Sequence, residues 1–466
     1  MKKEFIFILG FGTLLGGCMM VPKYSRPSAP ISTNWPVASI SGNTTNSSAS
    51  DVDWRDFFTD VRLKDLISRA LENNRDLRIA ALNVEQTRAQ YRIQRGGLFP
   101  SIQGDAKVVR QKTSAAVSEV NRGFDFTTYE VDVGATYELD LFGRVRSLKK
   151  EALERYFSTQ EAQKSVQIAL ISQVASEYLR LVQIQEAKAI AEQTLEAVQS
   201  SFNLNKRSFE AGAASELDLR TAEAQFQTAR VNVSNLAQLA AQSKNALILL
   251  IGEPLPDNLP EGQPLRQQKL LADLPVGIPS EVLVRRPDIL AAEHTLQAAN
   301  ADIGAVRATF FPRIVLTGAG GTASAKLTDL FTGPSVTWSF SPQITIPIFN
   351  FGANKAQLDV SKIQKRIEIA NYERAIQAAF REVADALSVR SLLDEKLNAQ
   401  ALLLDAQQKR YDLTNARYRQ GVDSYLAVLL AQQDLYAAQQ NLLQFQADRI
   451  LNAVTLYRSL GGGWKS

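Results

Sequence analysis

The sequence predicts an α+β membrane protein built as a tandem repeat, in which each copy carries amphipathic strands followed by a long helical hairpin. Three observations predict it. The chain matches itself when it is shifted by 209 residues, so that Gly212 falls on Gly421. Long segments of both copies lack glycine and proline, and a strictly alternating segment precedes each of them.

The duplication is clearest at the glycines. Three pairs coincide at that shift: Gly143 with Gly352, Gly212 with Gly421, and Gly252 with Gly461. Farther upstream the copies align at a shift of 212 residues, where LFPSI (98–102) falls on FFPRI (310–314). Self-similarity of this kind indicates one large structural unit that occurs twice.

The segments without glycine and proline predict two helical hairpins. Residues 144–211 and 353–420 form the long arms, each of which would be roughly 100 Å long as a helix. Residues 213–251 and 422–460 form the returning arms.

The turns between the arms have recognisable end signals. Gly212 and Gly421 can adopt the left-handed conformation that ends a helix. In the first turn Ser215 is predicted to cap the returning helix through its side-chain oxygen, and in the second turn Asp423 or Ser424 is predicted to do so.

Ahead of each hairpin, alternation with a period of two predicts strands. Residues 129–141 and 336–348 place apolar side chains on one face and polar side chains on the other, and weaker candidates precede them at 101–111 and 313–323. Strands of this kind fit the wall of a transmembrane barrel, although a soluble hairpin packed on a core stays open.

The number of strands limits the assembly. One chain offers about four strands, whereas a closed membrane barrel needs about eight or more. The chain must therefore oligomerise, and two copies would supply eight strands whereas three would supply twelve.

The N-terminus predicts export and a lipid. MKKEFIFILGFGTLLGG (1–17) has the basic start and short apolar core of a signal peptide. Leu15-Gly16-Gly17-Cys18 resembles a bacterial lipobox, which predicts a covalent lipid on Cys18, the only cysteine. Met19 follows where an Asp would suggest retention at the inner membrane, so the resemblance favours the outer membrane.

Charge and hydropathy exclude other classes. The formal net charge of the 466 residues is +4, and no dense Lys/Arg run occurs. Nucleic-acid binding therefore has no electrostatic support. After the signal peptide no apolar segment is long enough to predict a transmembrane helix.

Five motifs cover nearly the whole mature chain: WRDFFTDVRLKDLISRALENNRDLRIA (54–80), YELDLFGRVRS (137–147), IPSEVLVRRPDILAAEHTLQAANADIGAVRATFFPRI (278–314), GVDSYL (421–426) and LGGGWK (460–465). They resemble the outer-membrane factors of the TolC type, in the lipoprotein branch that includes OprM- and NodT-like efflux channels.

The resemblance implies a homotrimer with a twelve-stranded β-barrel, four strands from each chain, continued by a long α-helical periplasmic barrel with an equatorial domain. It implies a passive exit duct that is lipid-anchored and inserted in the outer membrane and extends into the periplasm. Its implied partners are a periplasmic adaptor and an inner-membrane pump of the resistance-nodulation-division type. No cofactor is implied apart from the lipid on Cys18.

Together, the patterns and the resemblance divide the chain into ten segments. They are a lipoprotein signal peptide (1–17), a lipidated extended and equatorial segment (18–60), a helix of repeat 1 (61–97), β-hairpin 1 (98–142), helical hairpin 1 (143–252), an equatorial linker (253–279), a helix of repeat 2 (280–309), β-hairpin 2 (310–350), helical hairpin 2 (351–460) and a C-terminal tail (461–466).

The resemblance also implies a periplasmic gate at the turns. Asp218 and Tyr418 match a polar pair that closes the tip, and Asp423 matches an acidic constriction residue. Further candidates for tip or adaptor contacts lie within or beside the turns: Gly212, Gly421, Ser424, Arg417, Arg419 and Arg220. A simple capping role for Asp423 and solvated side chains for the arginines stay open. Many relatives carry Asp where this chain has Leu430, so one polar contact of the family pattern is in doubt.

Three alternative functions differ in how well they fit the sequence. An enzyme is disfavoured because the only histidine, His294, has no second histidine or cysteine near it to share a metal, and no phosphate-binding or nucleophile motif occurs. A non-channel periplasmic coiled-coil lipoprotein would not explain strands ahead of two equal hairpins. An exit duct for metal ions or secreted proteins would keep the fold and change only the cargo.

Overall fold

The computed structural model describes residues 19–35, 52–116, 123–256, 258–268, 270 and 285–464. The predicted signal peptide, Cys18 and much of the predicted equatorial linker lie outside the described residues. The chain forms two compact units. One comprises Asn83–Gln160 and Ala291–Tyr372 with residues up to Ser28, and the other comprises Ala29–Leu82, Glu161–Leu290 and Glu373–Ser466. Each unit thus takes equivalent parts of both copies of the repeat.

Eight α-helices account for most of the described residues. They are α1 (Trp54–Phe57), α2 (Val61–Asn73), α3 (Arg75–Gly96), α4 (Arg144–Glu210), α5 (Glu216–Ile251), α6 (Pro287–Ala308), α7 (Ala353–Arg419) and α8 (Tyr425–Ser459). The two predicted hairpins are therefore present, as α4–α5 and α7–α8. Within the described ranges, no helix has the length and apolar character that crossing a bilayer requires.

The predicted helix over 61–97 is two helices, because Asn74 interrupts it. The Asn74 backbone is extended, and its side-chain oxygen accepts a hydrogen bond from the Leu77 N–H at 2.9 Å, which starts α3. Its side-chain amide donates to the Leu250 carbonyl at 2.8 Å. An asparagine inside an apparently continuous helical pattern here serves as a cap.

The first unit contains one antiparallel sheet of four strands in the order β1-β2-β3-β4. The strands are β1 (Ser101–Thr113), β2 (Phe124–Leu139), β3 (Arg313–Ser324) and β4 (Val336–Thr345). In register, Ser101 pairs with Thr136, Leu139 with Ile314, and Arg313 with Thr345. The start of β1, the end of β2, the start of β3 and the end of β4 therefore lie side by side, and all four connect to helices. This end of the strands is here called the helix end of the sheet.

Several strand boundaries differ from the prediction, most clearly those of β2 and β4. β2 begins at Phe124 rather than at residue 129, because pairing with β1 continues through the threonines that break the alternation. It ends at Leu139 because the Asp140 carboxylate accepts hydrogen bonds from the Arg146 and Val145 N–H groups at 2.9 and 3.1 Å, which turns the chain into α4. The predicted strand over 336–348 ends at Thr345, shortly before Pro347, which has no N–H to donate.

Ion pairs and aromatic rings join the two copies at the helix end of the sheet. Glu138 accepts two hydrogen bonds from the Arg144 guanidinium, both at 2.7 Å, and a third from Arg313 of the other copy at 2.9 Å. Phe142 stacks on Phe311 with ring centroids 4.7 Å apart. These residues belong to the YELDLFGRVRS and FFPRI motifs, so the two motifs meet at one corner of the first unit.

In the second unit, Asp60 links three parts of the chain. Its carboxylate is 1% exposed. It accepts hydrogen bonds from the Tyr178 hydroxyl at 2.7 Å and the Gln268 side chain at 2.6 Å, and it caps the start of α2 through the Arg62 N–H at 2.8 Å. A carboxylate buried with several donors is strongly destabilising to remove, because the donors lose their acceptor.

We expect Asp60→Ala to destabilise the second unit by about 3 kcal/mol, because it leaves the buried Tyr178 hydroxyl without its acceptor and removes one of the two acceptors of the half-buried Gln268 amide. Thermal unfolding in detergent, followed by loss of helical circular dichroism, measures the change. Asp65→Ala is the matched control, since Asp65 lies on the same helix in a half-buried ion pair with Arg69, for which the expected cost is below about 1 kcal/mol. Equal losses of stability in the two variants would contradict the role of Asp60 as a buried hydrogen-bond acceptor.

Candidate functional site at the hairpin turns

The two turns have the same backbone. Gly212 and Gly421 have φ angles of 74° and 73°. In each turn the N–H after the glycine donates five residues back, from Ala213 to the Ser208 carbonyl at 2.8 Å and from Val422 to the Arg417 carbonyl at 3.0 Å. This is the Schellman pattern of helix termination, which needs the left-handed conformation that glycine adopts most cheaply. The repeat therefore conserves the geometry of the turn.

The first turn is held by a reciprocal cap. The Ser215 hydroxyl oxygen accepts from the Asp218 N–H at 3.1 Å, and the hydroxyl donates to the Asp218 carboxylate at 2.7 Å. The Asp218 carboxylate also accepts from the Ser215 N–H at 3.4 Å, which completes a capping box at the start of α5. The predicted cap at Ser215 is confirmed.

The second turn is held by an ion pair instead. The Arg417 guanidinium donates to both Asp423 carboxylate oxygens, from Nε at 2.7 Å and from Nη2 at 3.0 Å. Ser424 occupies the N-cap position of α8, but its side chain makes no capping hydrogen bond. The prediction that Asp423 or Ser424 caps this helix through a side chain is therefore wrong.

The repeat explains the difference between the turns. At the shift of 209 residues, Arg417 and Asp423 correspond to Ser208 and Ala214, so the first turn cannot form the same ion pair. Conversely, Asp218 corresponds to Ala427, so Ser424 has no carboxylate with which to form a capping box. The two turns thus share one backbone conformation but are stabilised by different side-chain interactions, a capping box in the first and an ion pair in the second.

The ion pair affects the charge state of Asp423. The hydrogen bond from Arg417 lowers the pKa of Asp423 below its ordinary value, an effect that outweighs the opposing effect of burial. A carboxylate with a lowered pKa contributes its stabilisation above its unfolded pKa and loses it only as the pH falls through its folded pKa. Asp423 is therefore ionised at neutral pH, where the Arg417 guanidinium lies beside it.

The implied pairing of Asp218 with Tyr418 is not present as a hydrogen bond in this chain. The Tyr418 hydroxyl lies 3.4 Å from the Asn205 side-chain oxygen, to which it donates, and Asn205 is 1% exposed. Tyr418 also lies against Tyr425, with ring centroids 5.7 Å apart. Burial, and then the negative charge of Asp218, raise the pKa of Tyr418, so the two residues share one electrostatic neighbourhood.

The three arginines near the turns differ in their contacts. Arg417 binds Asp423, as anticipated for one of the turn acids. Arg220 binds Glu223 and Glu216 of its own helix at 2.9 and 3.5 Å. Arg419 is exposed at the end of α7. Asn205 is the residue that the sequence analysis missed, because a single asparagine among the polar residues of a long helix carries no distinct signal.

The lone histidine lies in the first unit. Its Nδ1 is 2.8 Å from a Glu154 carboxylate oxygen, and its ring packs on Phe157 with centroids 5.4 Å apart. Across the described ranges, no three His, Cys, Asp or Glu residues are grouped so that they could hold a metal ion. The turns are therefore the part of the described chain where sequence and geometry together indicate a functional site.

The sheet, the paired hairpins and the turns are those of an outer-membrane efflux channel, and comparison with known proteins agrees. The family model described as outer membrane efflux protein matches residues 66–253 and 278–462. The chain belongs to this family and is an outer-membrane protein.

Relatives match over nearly their whole length. The probable efflux pump outer membrane protein TtgC of Pseudomonas putida is 44% identical over all of this chain and 96% of its own length. Outer membrane protein OprJ of Pseudomonas aeruginosa is 41% identical over 97% of this chain and 94% of its own length. The open state of the MtrE outer membrane channel of Neisseria gonorrhoeae superimposes with a TM-score of 0.86 and 39% identity, covering 96% of this chain and 99% of that one.

The difference between the turns gives a test within one molecule. Ser215→Ala should destabilise the first turn of α5 by about 1 kcal/mol because it removes the cap, whereas Ser424→Ala should change the second turn little. Hydrogen exchange of the amides just after each turn measures both effects, and about fivefold faster exchange is expected only for Ser215→Ala. Equal acceleration at both turns would show that Ser424 also caps its helix.

Proposed function

We propose that the chain is the outer-membrane exit duct of a tripartite efflux system and that it carries small molecules passively. The observation that carries the proposal is the joint presence of the efflux-family match and a four-stranded sheet continuous with two long hairpins in one chain. Transport energy would come from the partner pump.

The assembly proposed is a homotrimer. Three chains of four strands supply the twelve strands that close a barrel, which leaves no open sheet edge in the membrane. The hairpin turns then meet a periplasmic adaptor, which connects them to an inner-membrane pump of the resistance-nodulation-division type. The names of several relatives, such as the toluene efflux pump outer membrane protein TtgI of Pseudomonas putida, 45% identical, support small organic molecules as cargo.

A clean deletion strain with plasmid complementation tests this function. We expect increased susceptibility to hydrophobic drugs, dyes, detergents and solvents, restored by the intact chain, because the pump would lose its exit. Increased susceptibility to metal ions alone would contradict small organic molecules as the cargo, but it would still be consistent with an exit duct.

We propose that the turns form a gate in which Asp423 is the acidic constriction residue, with Asp218 and Tyr418 beside it. Three Asp423 carboxylates around an axis would repel one another, and the Arg417 guanidinium in each chain reduces this repulsion. The pair also fixes the turn at the end of α7. Substitution of either Arg417 or Asp423 breaks the ion pair and should therefore loosen the closed tip.

Isolated trimers in a planar bilayer test the gate. Asp423→Ala and Arg417→Gln are both expected to raise the resting conductance, but with opposite selectivity: Arg417→Gln should increase the preference for cations and Asp423→Ala should decrease it. Asp405→Ala is the matched control, since Asp405 forms an exposed ion pair with Lys409 within α7. Unchanged conductance in both turn variants would show that this turn does not gate the channel.

We further propose that the mature chain begins at Cys18 and carries a lipid there. Cys18→Ala should lose the acyl mass from the N-terminal peptide, as mass spectrometry would detect. The variant should still form trimers that resist SDS until heated, because barrel closure depends on strand pairing rather than on the anchor. An unmodified Cys18 in the wild-type protein would refute the lipid assignment.

A further inference from the structure

The two faces of the four-stranded sheet differ in polarity. Successive side chains of a strand point to opposite faces, and residues that pair across strands share a face. On the face that includes Val108 and its partner Tyr129, no charged residue occurs between the helix end and that pair. The opposite face carries four charged residues in the same stretch of β1 and β2, which are Asp105, Lys107, Glu130 and Asp132. The uncharged face is therefore the one that meets lipid in a barrel.

The uncharged face has the height of a membrane. On β2 it runs from Tyr129 to Leu139, which corresponds to about 34 Å along the strand, or about 26 Å through a bilayer at a tilt of about 40°. Outer-membrane barrels have an apolar band of about 25 Å. The helices lie on the periplasmic side of an outer-membrane channel, so Tyr129 and Val108 lie at the outer boundary of the band.

Beyond this boundary the first β-hairpin continues alone. β2 pairs with β3 only as far as Tyr129, whereas its pairing with β1 continues for five more residue pairs, to Thr113 and Phe124. Residues 109–113 and 124–128 are here called the outer end of the sheet. The outer end is therefore at the level of the lipid head groups rather than of the acyl chains.

The lipid-facing side of the outer end is cationic. Arg110 and Lys112 share a face with Val108 because they follow it at intervals of two along β1, and both are exposed. Their partners on β2 are Thr127 and Asp125. Neither cation forms a salt bridge with a residue in the described part of the chain. Two cations thus lie beside one carboxylate, and Arg110 has a hydroxyl rather than an acid opposite it.

Arginines at the helix end, by contrast, are paired within the chain. Arg144 and Arg313 bind Glu138, and Arg146 binds Asp140. The protein therefore supplies its own anions at the periplasmic boundary of the sheet. At the outer boundary the cations border an apolar surface, where an anionic lipid head group would stabilise them.

The order of chemical groups along this face fits one class of lipid. The outer leaflet of the outer membrane is built mainly from a glycolipid whose sugar head group carries phosphates directly above its acyl chains. An arginine binds phosphate through parallel N–H···O bonds, and a threonine hydroxyl can donate another. A phosphate at Arg110 and Thr127 would leave the acyl chains against Val108 and Tyr129. A free phosphate ion would gain nothing from that apolar wall.

We propose that Arg110 and Lys112, with the Thr127 hydroxyl, bind a phosphate group of an outer-leaflet glycolipid whose acyl chains lie against Val108 and Tyr129. Each chain carries one such site, so the bound lipids surround the outer rim of the barrel. A ligand that binds only the folded assembly stabilises it. The inference rests on the proposed barrel, because insertion is what places this face in lipid.

Lipid binding to purified trimers tests the inference. Delipidated trimers in detergent are titrated with bisphosphorylated lipid A, and native mass spectrometry measures the bound lipid. The double variant Arg110→Gln/Lys112→Gln should bind this lipid on the order of tenfold more weakly, because it loses the charged donors to phosphate. Lys107→Gln is the matched control, since it removes an exposed cation from the opposite face of the same strand, and it should bind like the wild type.

Further comparisons identify the group that is recognised. The wild type should bind phosphate-free lipid A as weakly as the double variant binds the bisphosphorylated form. Arg110→Lys keeps the charge but loses the planar fork, so its affinity should lie between those of the wild type and Arg110→Gln. Bisphosphorylated lipid A should also raise the temperature at which SDS-resistant trimers dissociate, in the wild type and Lys107→Gln but not in the double variant.

The contrary outcomes are distinct. Equal weakening by Lys107→Gln would overturn the site, since net charge rather than position would then control binding. Equal affinity for phosphate-free lipid A would overturn phosphate recognition, and equal affinity for phosphatidylglycerol would overturn the glycolipid as the occupant. Absence of SDS-resistant, heat-modifiable trimers from the wild-type protein would refute the proposed barrel itself, and with it this inference. Such trimers in every variant, together with unchanged lipid binding by the double variant, would refute the lipid site alone.

Discussion

An open sheet edge inside a membrane is the constraint on which the rest of this structure depends. Hydrocarbon offers no partner for backbone N–H and C=O groups, so each strand must be paired on both sides. In this chain β1 and β4 are the outer strands of the sheet, and each has one neighbour among the described strands. Other copies of the chain must complete both edges, which is why the proposed function includes a trimer.

Ion pairs and exposed apolar side chains occupy different parts of the sheet. The ion-paired corner of Glu138, Arg144 and Arg313 occurs where strands give way to helices, and exposed apolar side chains such as Trp338 and Phe340 lie farther along the strands. The central pairing of the sheet, β2 with β3, joins the first copy of the repeat to the second. The two copies of the repeat are therefore hydrogen-bonded to each other in the middle of one sheet, and they do not form separate domains.

Much of this fold could be read from the residues, because its signals are local or periodic. Paired glycines located both turns, and alternation located all four strands to within a few residues. The remainder depends on contacts that no local pattern encodes. Asn74 divides a helix by bonding to Leu250, far along the chain, and residues 124–128 extend β2 only because β1 pairs with them.

The candidate site shows the same division. The sequence placed Asp423, Tyr418 and Asp218 at the turns, since each turn is defined by its glycine. Which partner each side chain takes could not be predicted, because Arg417 binds Asp423, Asn205 binds Tyr418 and Ser215 binds Asp218 through contacts that no local pattern specifies. In the second turn Arg417 takes the carboxylate because a bidentate guanidinium bond is stronger than a cap to a backbone N–H.

Residues 20–26 contact helix α6 through Arg26, which binds Glu293, and through the Met20 carbonyl, which lies against Arg307. This arrangement has a consequence for biosynthesis. Its contacts with α6 join residues that are 267 to 287 positions apart, so the start of the chain is translated long before the surface that receives it. Contacts of such high sequence separation form late and slowly. Residues 20–26 can therefore take their place on α6 only after more than half of the polypeptide has been translated.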